Sequence, residues 1–294
     1  MELRDLEVFL ALVSHLNFTH AAQEIHLSQS SVSVRIRRLQ EDVGVKLFEQ
    51  VGKKILLTEA GQLFEIHARR VIAAQSDMQQ AMEAYRGLEQ GSLRIAASTT
   101  PGMYILPRII AEFKRQHPKI AIRLSIENTR QVEEDIVRNE FDIGFVGGHL
   151  ISDEIDAFAW LRDELVLVLS PSHPLARMKH IKPRDLENES FIIREPGSAT
   201  RALIEKHFPI PNRAVSTAME LDNPESVKHA VMSGFGVAFV SNSAIKTELK
   251  AKRLVARRIQ GVHIDRELRI IYRKGKHLSR SASALIETAQ KLPR

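Results

Sequence analysis

The sequence predicts an α/β protein in three parts: a short helical region with a hairpin, one long helix, and a larger body of two α/β lobes. Three patterns support this. Apolar residues recur at three- and four-residue steps through about the first 43 positions. They then keep a seven-residue period, and from residue 91 onward strand-like runs alternate with helical ones. A chain of 294 residues can bury more than one core.

The composition restricts the class of protein. Hydrophobic residues make up 44% and charged residues 27%, which is ordinary for a globular chain. No apolar run is long enough to span a bilayer, and charges lie early in MELRDLEVFL, where a signal peptide would be apolar. We therefore expect a cytoplasmic protein without a membrane partner. The chain has no cysteine, which excludes disulfides, thiolate metal sites and thiol redox sensing.

The net charge of +6 raises the question of a polyanionic partner. Residues 1–90 hold 10 Lys and Arg against 12 Asp and Glu, so the basic excess lies in the rest of the chain. Within residues 35–54, however, six basic residues face three acidic ones. A local basic surface of this kind matters more for binding a groove than the total charge does.

The first forty residues predict three helices. Leu6, Phe9, Val13 and their neighbours share one face of a helix from about Leu3 to His15. Thr19 is the expected N-cap of a second short helix, His20 to His26, and Ser28 begins a third.

The third helix has two different faces. Val32, Ile36, Leu39 and Val43 form one stripe that we expect to be buried. Small polar groups and arginines occupy the exposed side, which together with Thr19 gives the candidate DNA-binding residues: Ser28, Gln29, Ser30, Ser33, Val34, Arg35, Arg37 and Arg38. Two short helices joined in this way form a helix-turn-helix that can enter a major groove. The alternative is a solvated polar face.

The segment after the third helix favours the DNA-binding interpretation. Gly44 ends the helix, and KLFEQVGKKILLT predicts a β-hairpin with Gly52, Lys53 and Lys54 at its turn. A basic hairpin tip beside such a helix forms a wing that can reach phosphates or the minor groove.

A long helix follows, capped by Thr58 and Glu59. Phe64, Val71, Met78 and Tyr85 are seven residues apart, and His67, Ala74, Ala81 and Leu88 each follow three residues later. These are the a and d positions of a heptad pattern. It predicts antiparallel pairing of two copies; the alternative is a helix that lies on its own domain.

The remaining residues predict two α/β lobes with a cleft between them. The first has strands in GSLRIAAS, IAIRLSIEN and FDIGFVGG with helices near 103–117 and 130–139, which implies a parallel sheet. The second has strands in ELVLVLS, SFIIREP, AVSTAMEL and GVAFVS with helices near 198–208, 223–233 and 242–250. Strands near 254–258 and 266–273 and a helix from about 279 complete the chain.

Hydroxyl-rich turns mark the expected ligand site. Ligands of open α/β sheets bind beyond the carboxyl ends of strands, where helix N-termini favour anions. The turns ASTTPG and REPGSATR occupy equivalent places in the two lobes and suit a small oxyanion or carboxylate. Candidate effector-binding residues are Ser98, Thr99, Thr100, Asn128, Thr129, Phe145, Gly147, Glu195, Ser198 and Thr200. The alternative for each turn is plain N-capping.

These motifs together carry a family resemblance. The stretch from LEVFLALVSHLNFTHAAQEIHLSQSS to KLFEQVGKKILLTEAG resembles the N-terminal winged helix-turn-helix of the LysR-type transcriptional regulators. The rest is similar to their effector domain, which has a periplasmic-binding-protein-like fold. The predicted fold class is therefore α/β with an N-terminal all-α winged helix-turn-helix, a long linker helix and a two-lobed effector domain.

The resemblance implies domain bounds. It gives a DNA-binding domain at 1–60, a linker and dimerisation helix at 58–90, and an effector domain at 91–294. Lobe I is expected at about 91–162 and 266–294, and lobe II at about 163–265.

The resemblance also implies partners. They are double-stranded promoter DNA, read as half-sites of an imperfect inverted repeat, and further copies of the chain in a homodimer or homotetramer, with RNA polymerase as a candidate. REPGSATR resembles the branch of carbon-fixation-operon activators and sulfur- or sulfite-responsive regulators. We expect no cofactor or metal, but a small anionic effector: sulfite or sulfate, favoured slightly, or a phosphorylated metabolite.

Other classes have less support. GFGVAF has glycines after a helix and before a strand, the reverse of a dinucleotide fingerprint. No hydrolase elbow, phosphate loop or metal-ligand spacing indicates an enzyme, so no catalytic residue is expected. A transport protein would not need the first ninety residues. The basic run 246–280, with 12 Lys and Arg against 3 acids, predicts either a solvated edge or a DNA contact.

Overall fold

The computed structural model describes residues 1–52, 54–85, 91–148, 150–207 and 217–291, without the side chains at 76–77, 80–81, 83–85 and 217–218. The chain divides into two compact units, Met1–Arg86 and Gly87–Arg294. None of the helices described is long and apolar enough to cross a membrane.

The N-terminal unit contains three helices and a hairpin, as predicted. The helices are α1 (Leu3–His15), α2 (Phe18–Glu24) and α3 (Gln29–Val43). The hairpin strands β1 (Phe48–Val51) and β2 (Lys54–Leu57) pair antiparallel. Val32, Ile36 and Leu39 of α3 are buried in the core of this unit, as predicted, and Val43 packs against that core half-buried. Gly44 ends α3 in the left-handed conformation, at φ 74°.

The long helix α4 (Glu59–Tyr85) completes this unit. The Thr58 hydroxyl oxygen accepts a hydrogen bond from the Gly61 N–H at 3.0 Å, so Thr58 caps the helix as predicted. Gly61 packs so closely against the carbonyl of Leu47 that an added Cβ would lie 2.2 Å from that oxygen. The first turns of α4 are therefore fixed against the hairpin.

Lobe I of the second unit contains β3 (Gly91–Ser98), a π-helical turn (Pro101–Ile105), α5 (Leu106–Gln116), β4 (Ile120–Glu127), α6 (Thr129–Val137) and β5 (Ile143–Gly147). The strand β6 (Ile155–Leu169) then leaves this lobe and enters lobe II. Strand β3 pairs parallel with both β4 and β5. A core of aliphatic residues with Phe113 and Phe145 fills lobe I.

Lobe II contains β7 (Phe191–Arg194), α7 (Ala199–His207), β8 (Thr217–Leu221), α8 (Pro224–Met232), β9 (Ala238–Ser241), α9 (Lys246–Lys250) and β10 (Val255–Arg257). The strand β11 (Ile264–Arg273) returns to lobe I, and α10 (Arg280–Lys291) packs there against α5. Strands β6 and β11 pair antiparallel along ten residue pairs with one register shift, so both lobes share them.

The structure corrects the sequence prediction in two places. Strand β6 begins at Ile155, whereas ELVLVLS predicted only its second half, because the half-buried alternation of residues 155–163 is not a continuous apolar run. The large sheet is also mixed rather than parallel, since β11 pairs antiparallel with β5 and β6, and β9 and β10 pair antiparallel with β6.

Candidate functional site

The exposed face of α3 is set by its first turn. Ser28 is the N-cap, and its hydroxyl oxygen accepts from the Ser31 N–H at 3.1 Å and contacts the Ser30 hydroxyl at 2.9 Å. Gln29, Ser30 and Val34 are exposed, and Ser33 is half-buried beside them. A helix with small side chains on this face can bring its backbone close to base edges.

Thr19 does not have the capping role that the sequence predicted. Helix α2 begins at Phe18, and its N-cap is Asn17, whose side-chain oxygen accepts from the backbone N–H groups of Thr19 and His20. Asparagine is a better N-cap than threonine and lies two positions earlier. Thr19 is exposed within the first turn of α2, so its side chain is accessible.

The three arginines of α3 are not equivalent. Nη1 of Arg35 lies 2.6 Å from Oδ1 of Asp5, a buried residue of α1. Burial alone would raise the pKa of Asp5, but the Glu2 N–H and the Arg35 guanidinium hold that pKa below its ordinary value. Arg37 and Arg38 are exposed and have no ion-pair partner among the residues described. They are free for bases or phosphates, whereas Arg35 joins two helices.

The wing is a short hairpin with an exposed basic end. Gly52 has φ 64°, which a tight turn between β1 and β2 requires. Lys54 is exposed beside it, and Lys53 lies outside the described residues. Lys54 can therefore contact a phosphate without losing a partner, since no ion pair holds it among those residues.

The predicted heptad positions of α4 separate into two sets. Phe64 packs edge-on against Phe9 with ring centroids 4.9 Å apart, so it belongs to the core of its own unit and not to a seam. Val71 is 46% exposed and Met78 60% exposed, with no cover among the residues described. The side chain of Tyr85 lies outside the described residues. The alternative of a helix lying on its own domain therefore holds for the first half of α4, where Ala68 and Ala73 are also buried.

A polar recess lies between the two lobes, where the strands β3 and β7 and the helices α6 and α7 meet. The space not filled by protein atoms is about 200 Å³, solvent at its open mouth included. Its lining residues are Ser98, Thr99, Thr100, Asn128, Thr129, Arg194, Ser198, Ala199, Thr200 and Arg266. We call this space the effector recess. The structure thus brings together all five predicted hydroxyl residues of the two turns, as well as Asn128 and Thr129.

Arg266 connects the two lobes at the base of the effector recess. Its guanidinium donates from Nε to Oδ2 of Asp163 at 2.8 Å, and both side chains are almost fully buried. Its Nη2 also donates to the Thr100 hydroxyl oxygen in lobe I, and its Nη1 donates to the Thr200 hydroxyl oxygen in lobe II. Both bonds are 3.0 Å long. A buried charge must be paired and hydrogen-bonded to be tolerated, and Arg266 meets both conditions.

Arg194, at the end of β7, forms a second polar cluster. Its guanidinium makes two hydrogen bonds to the Glu195 carboxylate, at 2.7 and 2.9 Å, and donates to the Thr99 hydroxyl oxygen at 3.3 Å. Glu195 was predicted to bind the effector, but it pairs with Arg194 and is not among the residues that line the recess. Each buried arginine thus has its own carboxylate, and the recess carries little net charge.

Two further predicted residues do not face the effector recess. The ring of Phe145 is fully buried in the core of lobe I, 5.0 Å from the ring of Trp160, because strand alternation turns it away from the cleft. Gly147 has no side chain to offer, but its carbonyl accepts from the Thr129 hydroxyl at 3.5 Å. An added Cβ at Gly147 would lie 3.3 Å from the Arg266 guanidinium, so glycine makes room for that arginine.

Sequence analysis missed the two arginines, although strand alternation could have indicated them. Arg266 lies on the buried face of β11 between Ile264 and Leu268, and Arg194 shares the face of Ile192 on β7. A charged residue at an apolar position of a strand must find a buried partner. No pattern in the sequence indicated Asp163, the partner of Arg266, as a buried residue.

The basic run 246–280 is divided among different surroundings. Arg258 pairs with Glu164, Arg257 donates to the carbonyls of Ala176 and Met178, and Lys276 pairs with the buried Asp142. These three cations therefore have structural partners within the second unit. Among the described residues no group of three or more His, Asp or Glu could hold a metal ion.

A winged helix-turn-helix joined to a two-lobed domain with a polar recess defines the class of ligand-responsive DNA-binding regulators. Residues 3–62 match the family described as bacterial regulatory helix-turn-helix protein, lysR family, and residues 86–293 match the LysR substrate binding domain. The chain belongs to the LysR family of transcriptional regulators.

The relatives are regulators, not enzymes. The RuBisCO operon transcriptional regulator of Allochromatium vinosum is 36% identical over 287 residues, which cover 98% of this chain and 95% of that one. The activator CmpR of Synechocystis is 35% identical over 97% of this chain and 93% of that one.

Among solved structures, the CcmR regulatory domain of Synechocystis in complex with 2-PG is 29% identical, with a TM-score of 0.64. The match covers 70% of this chain and 100% of that domain.

Proposed function

We propose that this regulator controls transcription in response to a small anion bound in the effector recess. The observation that carries the proposal is the convergence of five hydroxyl residues and the N-termini of α6 and α7 on one space. Helix N-termini and hydroxyl groups favour an anion without needing a full countercharge. The paired carboxylates of Asp163 and Glu195 neutralise the two arginines, so hydroxyl and backbone N–H groups supply the attraction for the anion.

A small phosphorylated carboxylate is the favoured effector class. The 29% identical CcmR domain is described with 2-PG bound, and the relatives regulate RuBisCO operons. Sulfite or sulfate, which the sequence resemblance favoured slightly, is the competing candidate and fits the same donor set. By the same comparison the target genes are those of carbon fixation.

The regulator acts as a dimer or tetramer, in this proposal, through the exposed apolar positions of α4. Val71 and Met78 repeat at seven residues, as a helix pair requires, and their exposure is costly in a lone helix. Two winged helices would then bind half-sites of an inverted repeat. Contact with RNA polymerase stays a prediction of the sequence.

Thermal unfolding of the full chain against a panel of anions tests the effector class. A ligand that binds only the folded state raises the melting temperature with its concentration. We expect a rise with 2-phosphoglycolate, a small phosphorylated carboxylate, that is lost in Thr100→Ala and Thr200→Ala and kept in the exposed control Thr247→Ala. A rise with sulfite or sulfate alone would replace the favoured effector, and no rise with any anion would contradict the assignment of the recess.

A further inference from the structure

The backbone donors around the effector recess are distributed unequally between the two lobes. The first turn of a helix leaves its N–H groups without partners inside the helix, so a capping side chain, another segment or a ligand must accept from them. Three helical first turns border the recess: residues 99–101, which lead into α5, and the starts of α6 and α7. The number of N–H groups that are still available differs from one turn to the next.

Helix α6 has little left to offer a ligand. The Asn128 side-chain oxygen accepts from the Gln131 N–H at 3.0 Å, and the Gly197 carbonyl of lobe II accepts from the Arg130 N–H at 3.4 Å. Of the first three residues of α6, Thr129 alone has an N–H without an acceptor among the residues described. The protein itself therefore caps most of this turn.

The first turn of α7, in lobe II, is open to a ligand. The hydroxyl of Ser198, the residue before this helix, makes no hydrogen bond within the described part of the chain, whereas the N-cap side chains of α3, α6 and α8 each accept from their own helix. The N–H groups of Ala199, Thr200 and Arg201 have no acceptor there either. Ser198 is 5% exposed and lines the recess together with Ala199 and Thr200. Lobe II thus offers three N–H groups and one buried hydroxyl.

The equivalent turn of lobe I has fewer donors. Ser98 ends β3, is 6% exposed and lines the recess, and its hydroxyl also has no partner among the described residues. Thr99 and Thr100 have free N–H groups in the same sense, but the third residue of the turn is Pro101, which has no N–H to donate. Lobe I therefore offers two N–H groups and one buried hydroxyl.

Arg266 keeps these two turns close together. The hydroxyl oxygens of Thr100 and Thr200 each lie 3.0 Å from a nitrogen of its guanidinium. The guanidinium is buried and paired with Asp163, which in turn accepts from the Ser241 hydroxyl at 2.7 Å. A ligand with only a few atoms between its two charged groups can therefore reach both turns.

We propose that the recess orients a two-ended anion, with its phosphoryl group at the α7 turn of lobe II and its carboxylate at the Ser98 turn of lobe I. The assignment rests on the proposed function, in which the effector is a small phosphorylated carboxylate. A phosphoryl group has three acceptor oxygens and up to two negative charges, so it gains most where more N–H groups are free. A carboxylate has two oxygens, which match the two N–H groups of lobe I. One molecule then bonds to both lobes.

Isothermal titration of the full-length protein with 2-phosphoglycolate and with inorganic phosphate tests the orientation, because phosphate carries only the group assigned to lobe II. Ser198→Ala should weaken the binding of both ligands about tenfold, as expected for the loss of one hydrogen bond to a charged group. Ser98→Ala should weaken 2-phosphoglycolate about tenfold and leave the affinity for phosphate unchanged. The exposed variant Thr247→Ala should alter neither affinity.

The opposite pattern, in which Ser98→Ala weakens phosphate and Ser198→Ala does not, overturns the orientation while the recess assignment stands. An equal effect of the two variants on phosphate does the same. If neither ligand binds the wild type, the recess assignment falls together with the orientation.

Crystals of the wild type grown with selenate provide a second measurement if either variant does not fold. Selenate is a tetrahedral dianion whose position is given by the anomalous scattering of selenium. We expect its oxygens within hydrogen-bond distance of the Ser198 hydroxyl and the Ala199 N–H. Selenate bound at the Ser98 hydroxyl instead would contradict the orientation.

Discussion

The Tyr104 hydroxyl donates a hydrogen bond of 2.6 Å to Oε1 of Glu225, and this bond joins the π-helical turn of lobe I to the first turn of α8 in lobe II. The ammonium of Lys228 lies 2.8 Å from the same carboxylate oxygen and 5.1 Å from the centre of the Tyr104 ring. Tyr104 follows Thr100 by four residues, so a single turn of the chain separates this contact from the recess.

Removal of the Tyr104 hydroxyl should weaken the contact between the lobes. Burial, and next the hydrogen bond to Glu225, raise the pKa of Tyr104 above its ordinary value. The stabilisation is therefore present below about pH 10, where the tyrosine of the unfolded chain is protonated, and is lost as the pH rises further. Tyr104→Phe should lower the free energy of unfolding at neutral pH by about 1–2 kcal/mol.

Urea unfolding followed by Trp160 fluorescence measures this effect, because Trp160 is the single tryptophan and lies in lobe I. Tyr272→Phe is the matched control, since the Tyr272 hydroxyl has no partner among the described residues. Equal stability of the two variants would show that the bond to Glu225 contributes nothing.

Asp142 should govern acid stability of lobe I. Burial alone would raise its pKa, but hydrogen bonds and ion pairs with Arg94 and Lys276 hold the pKa below its ordinary value. A lowered pKa in the folded state means that the stabilisation is present above about pH 4 and is lost as the pH falls through the folded pKa. Asp142→Asn should cost about 3–5 kcal/mol at neutral pH and flatten the acid limb of the unfolding curve. The exposed Glu187→Gln should leave both unchanged.

Arg37 and Arg35 should give opposite results when each is changed to alanine. Arg37 is exposed and unpaired in the described part of the chain, so Arg37→Ala should lose about 1–3 kcal/mol of specific DNA binding at unchanged stability. Arg35→Ala leaves the buried Asp5 unpaired and should instead lower the melting temperature of the N-terminal unit. Fluorescence anisotropy on a fragment selected from random DNA, together with calorimetry, separates the two. Equal loss of DNA affinity and equal stability in both variants would contradict the assignment.

The two sets of positions on α4 should also separate experimentally. Met78→Lys places a charge on an exposed apolar position and should shift the protein toward monomer in analytical ultracentrifugation without loss of helical signal. Phe64→Ala should instead destabilise the N-terminal unit by about 3–5 kcal/mol through the cavity beside Phe9. An oligomer that survives Met78→Lys would place the interface elsewhere.

Much of the fold could be predicted because local patterns agree with tertiary packing. The α3 stripe of Val32, Ile36 and Leu39, the glycine at the end of α3 and the hairpin were each specified by a few neighbouring residues. The hydroxyl turns at Ser98–Thr100 and Ser198–Thr200 were predicted for the same reason, since each follows a strand.

The long-range polar network could not be read from local patterns. Arg266 and Asp163 are 103 residues apart, and Thr100 is 166 residues from Arg266. Phe64 has the heptad spacing but packs in the core of its own unit. The spacing alone cannot distinguish these two environments, because tertiary packing determines which one a residue enters. The N-cap of α2 is Asn17 and not the predicted Thr19, because the end of a helix depends on a single side-chain hydrogen bond.

Strands β6 and β11 pass from one lobe to the other without a break, over 15 and 10 residues, and stay hydrogen-bonded to each other through the crossing. A hydrogen-bonded strand pair resists twisting more than a flexible linker does. A rotation of one lobe must be taken up as additional twist spread along the pair. The register shift between Leu268 and Arg269 marks the place where that twist is most easily concentrated. If the proposed effector rotates one lobe, that rotation would work against an elastic restoring force, and release of the effector would be sufficient to return the lobe.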